Sequence, residues 1–174
     1  MRSKIGILLL CLGGAFCSCE KPYVGDGVLV DRGFLSYPRF SISFRSVDTK
    51  DESHVTYKFA GPPARAMSVG FVVVGDGSRQ DSDRDLRNSD YSNVVVNVVL
   101  TRGGTTIVTL ESVLKDWELA RSSQRLMFWH QKLRDIGFLD RGAYEMRIHL
   151  SHTNLNKGSL VLTPVLEGGG NETP

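Results

Sequence analysis

Residues 93–110, NVVVNVVLTRGGTTIVTL, decide the fold class. Asn93 to Leu100 is a valine-rich apolar stretch, Arg102-Gly103-Gly104 follows it, and Thr105 to Leu110 returns with β-branched residues throughout. β-branched side chains favour a pleated, half-buried surface, and glycine supplies the positive backbone angles of a tight hairpin turn. The segment is therefore read as two antiparallel strands joined by a short turn.

The same periodicity extends to both sides. Phe40-Ser41-Ile42-Ser43-Phe44 and Val55-Thr56-Tyr57-Lys58-Phe59 alternate apolar with polar residues, the mark of a strand with one buried face. Gly61-Pro62-Pro63 then breaks the chain, and Met67 to Val74 forms a strand whose continuous apolar end, Phe71 to Val74, predicts a central position. Residues 75–92 are polar and read as a surface loop. Further on, Tyr144, Met146, Ile148 and Leu150 alternate with Glu145, Arg147 and His149, a turn spans Asn154 to Gly158, and Ser159 to Leu166 is the last strand. Residues 111–136 are less regular. Val113, Leu114 and Trp117, and again Leu126, Trp129 and Leu133, have helical spacing in a stretch without Gly or Pro, which predicts one or two short helices, with a strand around Met127–His130 as the alternative.

These readings give seven or eight strands separated by turn signals. They predict a mainly β chain folded as a single antiparallel β-sandwich. The segment Gly142-Ala143-Tyr144, running into an alternating strand, a hairpin and a final apolar strand, resembles the closing pair of jelly-roll modules, so a jelly-roll-like sandwich is expected. Its boundaries are read as residues 34–168, with a tether over 19–33 rich in Gly, Pro and charge, and a tail over 169–174.

The N-terminus is organised differently. Arg2 and Lys4 are its only charges, Ile5 to Leu12 is apolar apart from Gly6, small and apolar residues follow, and the first acid is Glu20. That order is the order of a secretory signal, here residues 1–18. The stretch Phe16-Cys17-Ser18-Cys19 resembles the box of bacterial lipoproteins, in which a cysteine follows an apolar residue and two small ones. The resemblance covers the first nineteen residues and implies lipidation of Cys19. Phe16 stands where leucine is commonest in that family, and Cys17 is unusual at its place. Cys11, Cys17 and Cys19 are the only cysteines, so the rest of the chain has no disulfide. A lipoprotein would be held to a membrane by more than one acyl chain. Glu20 stands where the inner-membrane retention signal has aspartate, which favours the outer membrane, facing the periplasm.

Without Arg2 and Lys4 the chain carries 19 basic and 19 acidic residues. A net-neutral domain has no global electrostatic attraction to nucleic acid, so no nucleic-acid partner is expected.

Chemical motifs are sparse. Asp81, Asp83 and Asp85 alternate as calcium ligands can, but Leu86 and Ser92 occupy the places where an EF-hand needs Gly and Glu, and Arg79, Arg84 and Arg87 compete for the carboxylates. The segment reads as a solvated loop, with no cofactor expected. Of the four histidines, His54, His130, His149 and His152, the last two are three apart, which on a strand puts them on opposite faces. No nucleophile elbow and no phosphate-binding glycine loop occurs, so no catalytic residue is assigned. Trp117, Phe128 and Trp129, with Tyr23, Tyr37 and Tyr91, offer rings that suit a glycan or protein interface, although tryptophans also cap the end of a core. Arg121, Arg125, Lys132 and Arg134 surround the two tryptophans, and aromatic anchors beside arginine are enriched at protein interfaces. Trp117, Arg121, Arg125, Trp129 and Arg134 are accordingly the expected binding residues. The expected function is a non-enzymatic envelope lipoprotein that binds a periplasmic or envelope protein as an inhibitor, immunity protein or adaptor. A carbohydrate-binding sandwich and an enzyme of unrecognised type are the alternatives.

Overall fold

The computed structural model describes residues 23–32, 39–50, 53–62, 66–74, 86, 89, 91–121, 125–137, 142–152 and 158–168. Cys19 with the rest of the signal segment, Tyr37, Asp81, Asp83, Asp85, the 154–157 turn and the 169–174 tail lie outside the described residues.

The hairpin that opens the sequence reading is present. Strand β7 (Val94–Arg102) pairs antiparallel with β8 (Thr105–Val113), and Gly103 and Gly104 turn between them at φ 52° and 84°. Both angles lie in the region where a side chain is strained, so two glycines close the turn at little cost. β7 sits inside the smaller of two sheets. Its order is β1 (Val24–Gly25), β5 (Ser53–Ala60), β12 (Ala143–His152), β7, β8.

The larger sheet runs β2 (Val28–Arg32), β3 (Arg39–Ser43), β13 (Val161–Gly168), β6 (Ala66–Val73), β10 (Leu126–Trp129), β9 (Glu118–Arg121). Two short strands extend it: β4 (Val47–Asp48) pairs with β13, and β11 (Ile136–Gly137) pairs with β6. Every pairing between these strands is antiparallel. The architecture is thus a two-sheet antiparallel β-sandwich, as the strand periodicity predicts.

Alternate residues of the two sheets meet in one core. Tyr57, Phe59, Met146, Ile148, Val96 and Val98 come from the smaller sheet, and Ile42, Val69, Phe71, Phe128, Leu162 and Leu166 from the larger. All twelve are at most 3% exposed, so period two in the sequence translates directly into inward and outward faces. β6 occupies an interior position of its sheet, as the apolar run Phe71–Val74 predicts.

Three parts of the chain differ from a simple reading of the sequence. Residues 24–32, read as tether, contribute β1 to the smaller sheet and β2 to the larger. Among the described residues of 111–136, the helical spacing yields two three-residue 3-10 turns, Leu114–Asp116 and Gln131–Leu133, with β9 and β10 between them. The residues flanking each turn, Val113, Trp117, His130 and Arg134, have extended backbone, so neither turn propagates into an α-helix. Leu114 and Trp117 are both buried because the first turn carries the chain from the smaller sheet to the larger at the end of the core. The alternative strand around Met127–His130 exists as β10. The last two strands, in turn, are not a hairpin: β12 lies in the smaller sheet and β13 in the larger. Among the described residues, no helix is long and apolar enough to cross a membrane.

Candidate functional site

The five residues expected to bind are brought to one region, the β9–β10 edge of the larger sheet, but they do not share one face. Trp117 is only 4% exposed and belongs to the core. It meets Phe71 and His130 edge-on, with ring centroids 5.4 Å away in each case. Its indole N–H is buried with no hydrogen-bond partner among the described residues. An unsatisfied buried donor costs about 1–3 kcal/mol, which the packing of this ring offsets. Trp117 therefore caps the core and contributes nothing to a surface platform.

Trp129 points the other way. On β10, Leu126 and Phe128 face the core, so Met127 and Trp129 project onto the outer face. Register pairs Trp129 with Gly70 on β6, and a Cβ placed on Gly70 would lie 2.7 Å from the indole ring. The ring thus lies against bare backbone. An aromatic side chain over a strand glycine restores the contact that the missing side chain leaves open. The next strand offers Val165 opposite Gly70, and beyond it Ser43. Val165 is 1% exposed although its neighbours in the row are on the outer face. The floor of this face is therefore made of small or short side chains, with one large ring fixed upon it.

Two ion pairs flank the ring. Glu118, directly opposite Trp129 on β9, meets Arg134 at 3.0 Å. Arg125, just before β10, meets Glu167 of β13 at 3.8 Å. Met127 is opposite Val72 whereas Glu167 is opposite Ser68, so this second pair reaches diagonally across β6. Both pairs are solvent-accessible and each contributes about 1 kcal/mol or less to stability; Arg134 is held by Glu118, the direct cross-strand neighbour of Trp129. Arg121 is exposed at the far end of β9, opposite Leu126, and stands away from the Glu118–Arg134 end.

The other described aromatic candidates are structural. Tyr91 packs on Phe128 with centroids 5.5 Å apart, and Phe128 is a core residue. Tyr23 packs on Phe59, and its hydroxyl donates to the Asp26 carbonyl; burial and the nearby Asp26 carboxylate raise its pKa. Tyr57, whose hydroxyl donates to the Arg45 carbonyl at 2.7 Å, is pushed up to about 12, chiefly by burial.

His130 adjoins Trp117 and starts the 3-10 turn. Its Nδ1 accepts from the Lys132 backbone N–H at 3.2 Å, which requires an unprotonated nitrogen. Its pKa is lowered, first by burial and then by the Lys132 charge, with Asp116 opposing.

The smaller sheet also has an outer face, and sequence reasoning missed its main feature. Register places His54 of β5 directly opposite His149 of β12. The two rings stack, centroids 3.8 Å apart and 10° between planes. His152 lies on the inward side, opposite Val94, and its Nε2 is 2.9 Å from the Lys50 carbonyl. His149 and His152 thus occupy opposite faces, as their spacing predicts. Only the long-range register of β5 against β12 could have paired His149 with His54. Near the β7–β8 turn, an open recess of about 500 Å³ is lined by Lys58, Thr101, Gly104, Glu145 and Arg147 among others. Glu145 lies 4.0 Å from Lys58 and 3.3 Å from Arg147, so its carboxylate offsets one of the two positive charges.

No family model, curated protein or solved structure matches the chain.

Proposed function

We propose that the chain is a non-enzymatic envelope lipoprotein that holds a protein partner on the outer face of its larger sheet. The observation that supports this most is the seating of Trp129 on Gly70 between two arginine–carboxylate pairs. A ring already fixed on its floor loses little side-chain freedom on binding, and Arg125 and Arg134, each paired with a carboxylate of this sheet, are available as donors. Such a patch suits a partner that offers an apolar side chain to the ring and acidic or carbonyl groups to Arg125 and Arg134. The roles that fit are inhibitor, immunity protein or adaptor. Cys19 carries the lipid in this reading, and the protein is anchored to the outer membrane and faces the periplasm.

The burial of Trp117 weakens the carbohydrate reading, because it leaves one accessible tryptophan where a two-ring platform needs two.

The test is affinity capture from an envelope extract with the full chain as bait, wild type against Trp129→Ala, read by mass spectrometry. One stoichiometric protein retained by the wild type and lost by the variant is expected. A partner captured equally by both would overturn the assignment of this face. Incorporation of labelled palmitate, abolished in Cys19→Ala, tests the anchor; unchanged labelling in that variant would overturn it.

A further inference from the structure

The outer face of the smaller sheet carries an unexplained arrangement, independent of the face proposed for a protein partner. His54, His149, Asn97 and Glu111 form one row across four adjacent strands, each opposite the next in register. The Asn97 side-chain N–H donates to the Glu111 carboxylate at 3.1 Å. The two imidazoles stack at 3.8 Å, His54 is exposed, and His149 Nε2 is buried with no hydrogen-bond partner among the described residues. Stacking uses the faces of both rings but leaves this nitrogen unsatisfied.

We propose that His54 and His149 form a two-histidine site for a divalent transition-metal ion of the imidazole-preferring class, Zn²⁺ or Cu²⁺. Directly opposed strand residues have Cβ atoms about 4.5–5.5 Å apart, a span that lets two imidazoles converge on one ion at the ~2.0–2.1 Å of a zinc–nitrogen bond. The rings need only fan apart from their stacked position, and His54, being exposed, is free to move. Water completes the coordination, since no group of three or more His, Cys, Asp or Glu is gathered for a metal among the described residues. Among the described strand residues of this face, Arg147 stands two residues before His149, and its Nε is 3.3 Å from the Glu145 carboxylate, which offsets its charge. Glu111 is held towards the row by Asn97 and adds negative potential on the far side of His149. Imidazole ligands select zinc, copper or nickel over magnesium and calcium, and the general affinity order puts copper(II) first.

The experiment is titration of tag-free full chain with Cu²⁺ at pH 7, followed by calorimetry and by electron paramagnetic resonance. Wild type, His54→Ala, His149→Ala and the double variant are compared. Cys11, Cys17 and Cys19 are common to all four proteins, so differences between them report the histidine pair. The wild type should bind one ion per chain more than the double variant, with a two-nitrogen hyperfine pattern, and either single variant should bind that ion at least tenfold more weakly. If His149→Ala fails to fold, His54→Ala alone decides, because His54 is exposed. Equal stoichiometry and affinity in wild type and His54→Ala would overturn the proposal.

Discussion

The indole of Trp129 rests on Gly70, its direct cross-strand neighbour, so closely that a single added carbon at Gly70 would come within 2.7 Å of the ring. One contact therefore serves both the packing of the larger sheet and the surface proposed to bind. Gly70→Ala should displace the ring and cost about 1–3 kcal/mol, the range for overpacking. In a Trp129→Ala background the same change should cost much less, because the clash is gone. Urea unfolding of the four proteins measures this coupling; additive losses would show that the ring does not lie where the structure puts it.

Charge reversal separates the flanking arginines from the fold. Arg125→Glu would face Glu167, and Arg134→Glu would face Glu118. Stability should change by about 1 kcal/mol or less, since both pairs are exposed. Affinity for the captured partner should fall at least tenfold, or about 1.4 kcal/mol, with a smaller fall for Arg121→Glu. Surface plasmon resonance on the folded variants checks this, and unaltered affinity in all three would remove the arginines from the interface.

Trp117 should behave as a core residue. Trp117→Ala is expected to cost about 3–5 kcal/mol. Trp117→Phe keeps a ring and removes the unpartnered N–H, so its loss should stay below about 1.5 kcal/mol. Thermal melts decide between this placement and a surface ring, for which Trp117→Ala would leave the melting temperature nearly unchanged.

His130 should make stability fall in mild acid. Its folded pKa lies below the ordinary 6.5, so the unfolded chain takes up the proton first as pH drops. The stabilisation is therefore complete above about pH 6.5 and is lost as pH falls through the lower folded value. Protonation of Nδ1 would also remove the acceptor of the Lys132 N–H. His130→Gln should flatten the decline in melting temperature between pH 7.5 and 5; an identical decline in both proteins would exclude His130 as its source.

Elements set by neighbouring residues were legible in the sequence. The β7–β8 hairpin needs only β-branched strands and the Gly103-Gly104 turn, and β5, β6 and β12 follow from alternation or a continuous apolar run. Residues 111–136 were not legible in the same way. Val113, Leu114 and Trp117 look helical because a single 3-10 turn at a sheet-to-sheet crossing reproduces the three-to-four residue spacing of an α-helix. The candidate site was legible in kind but not in arrangement. Tryptophan and arginine in one segment marked it, but the face of each residue depends on strand phase. That phase sends Trp129 outward over Gly70, and Trp117, beyond the turn, into the core. Gly70 and His54 carried no local signal at all, because their partners are fixed by pairing between strands far apart in sequence.

The most direct test of a binding role for the larger sheet is site-specific photo-crosslinking in intact cells. A photoreactive residue is placed at Ala120, on the outer face of β9 opposite Met127, so that Trp129 stays intact, and, as the comparison, at Thr56 on the outer face of the smaller sheet. A discrete covalent adduct with one envelope protein at position 120, and none at position 56, is the expected result. No adduct at 120, or the same adduct at 56 alone, would contradict the claim that this face holds a partner.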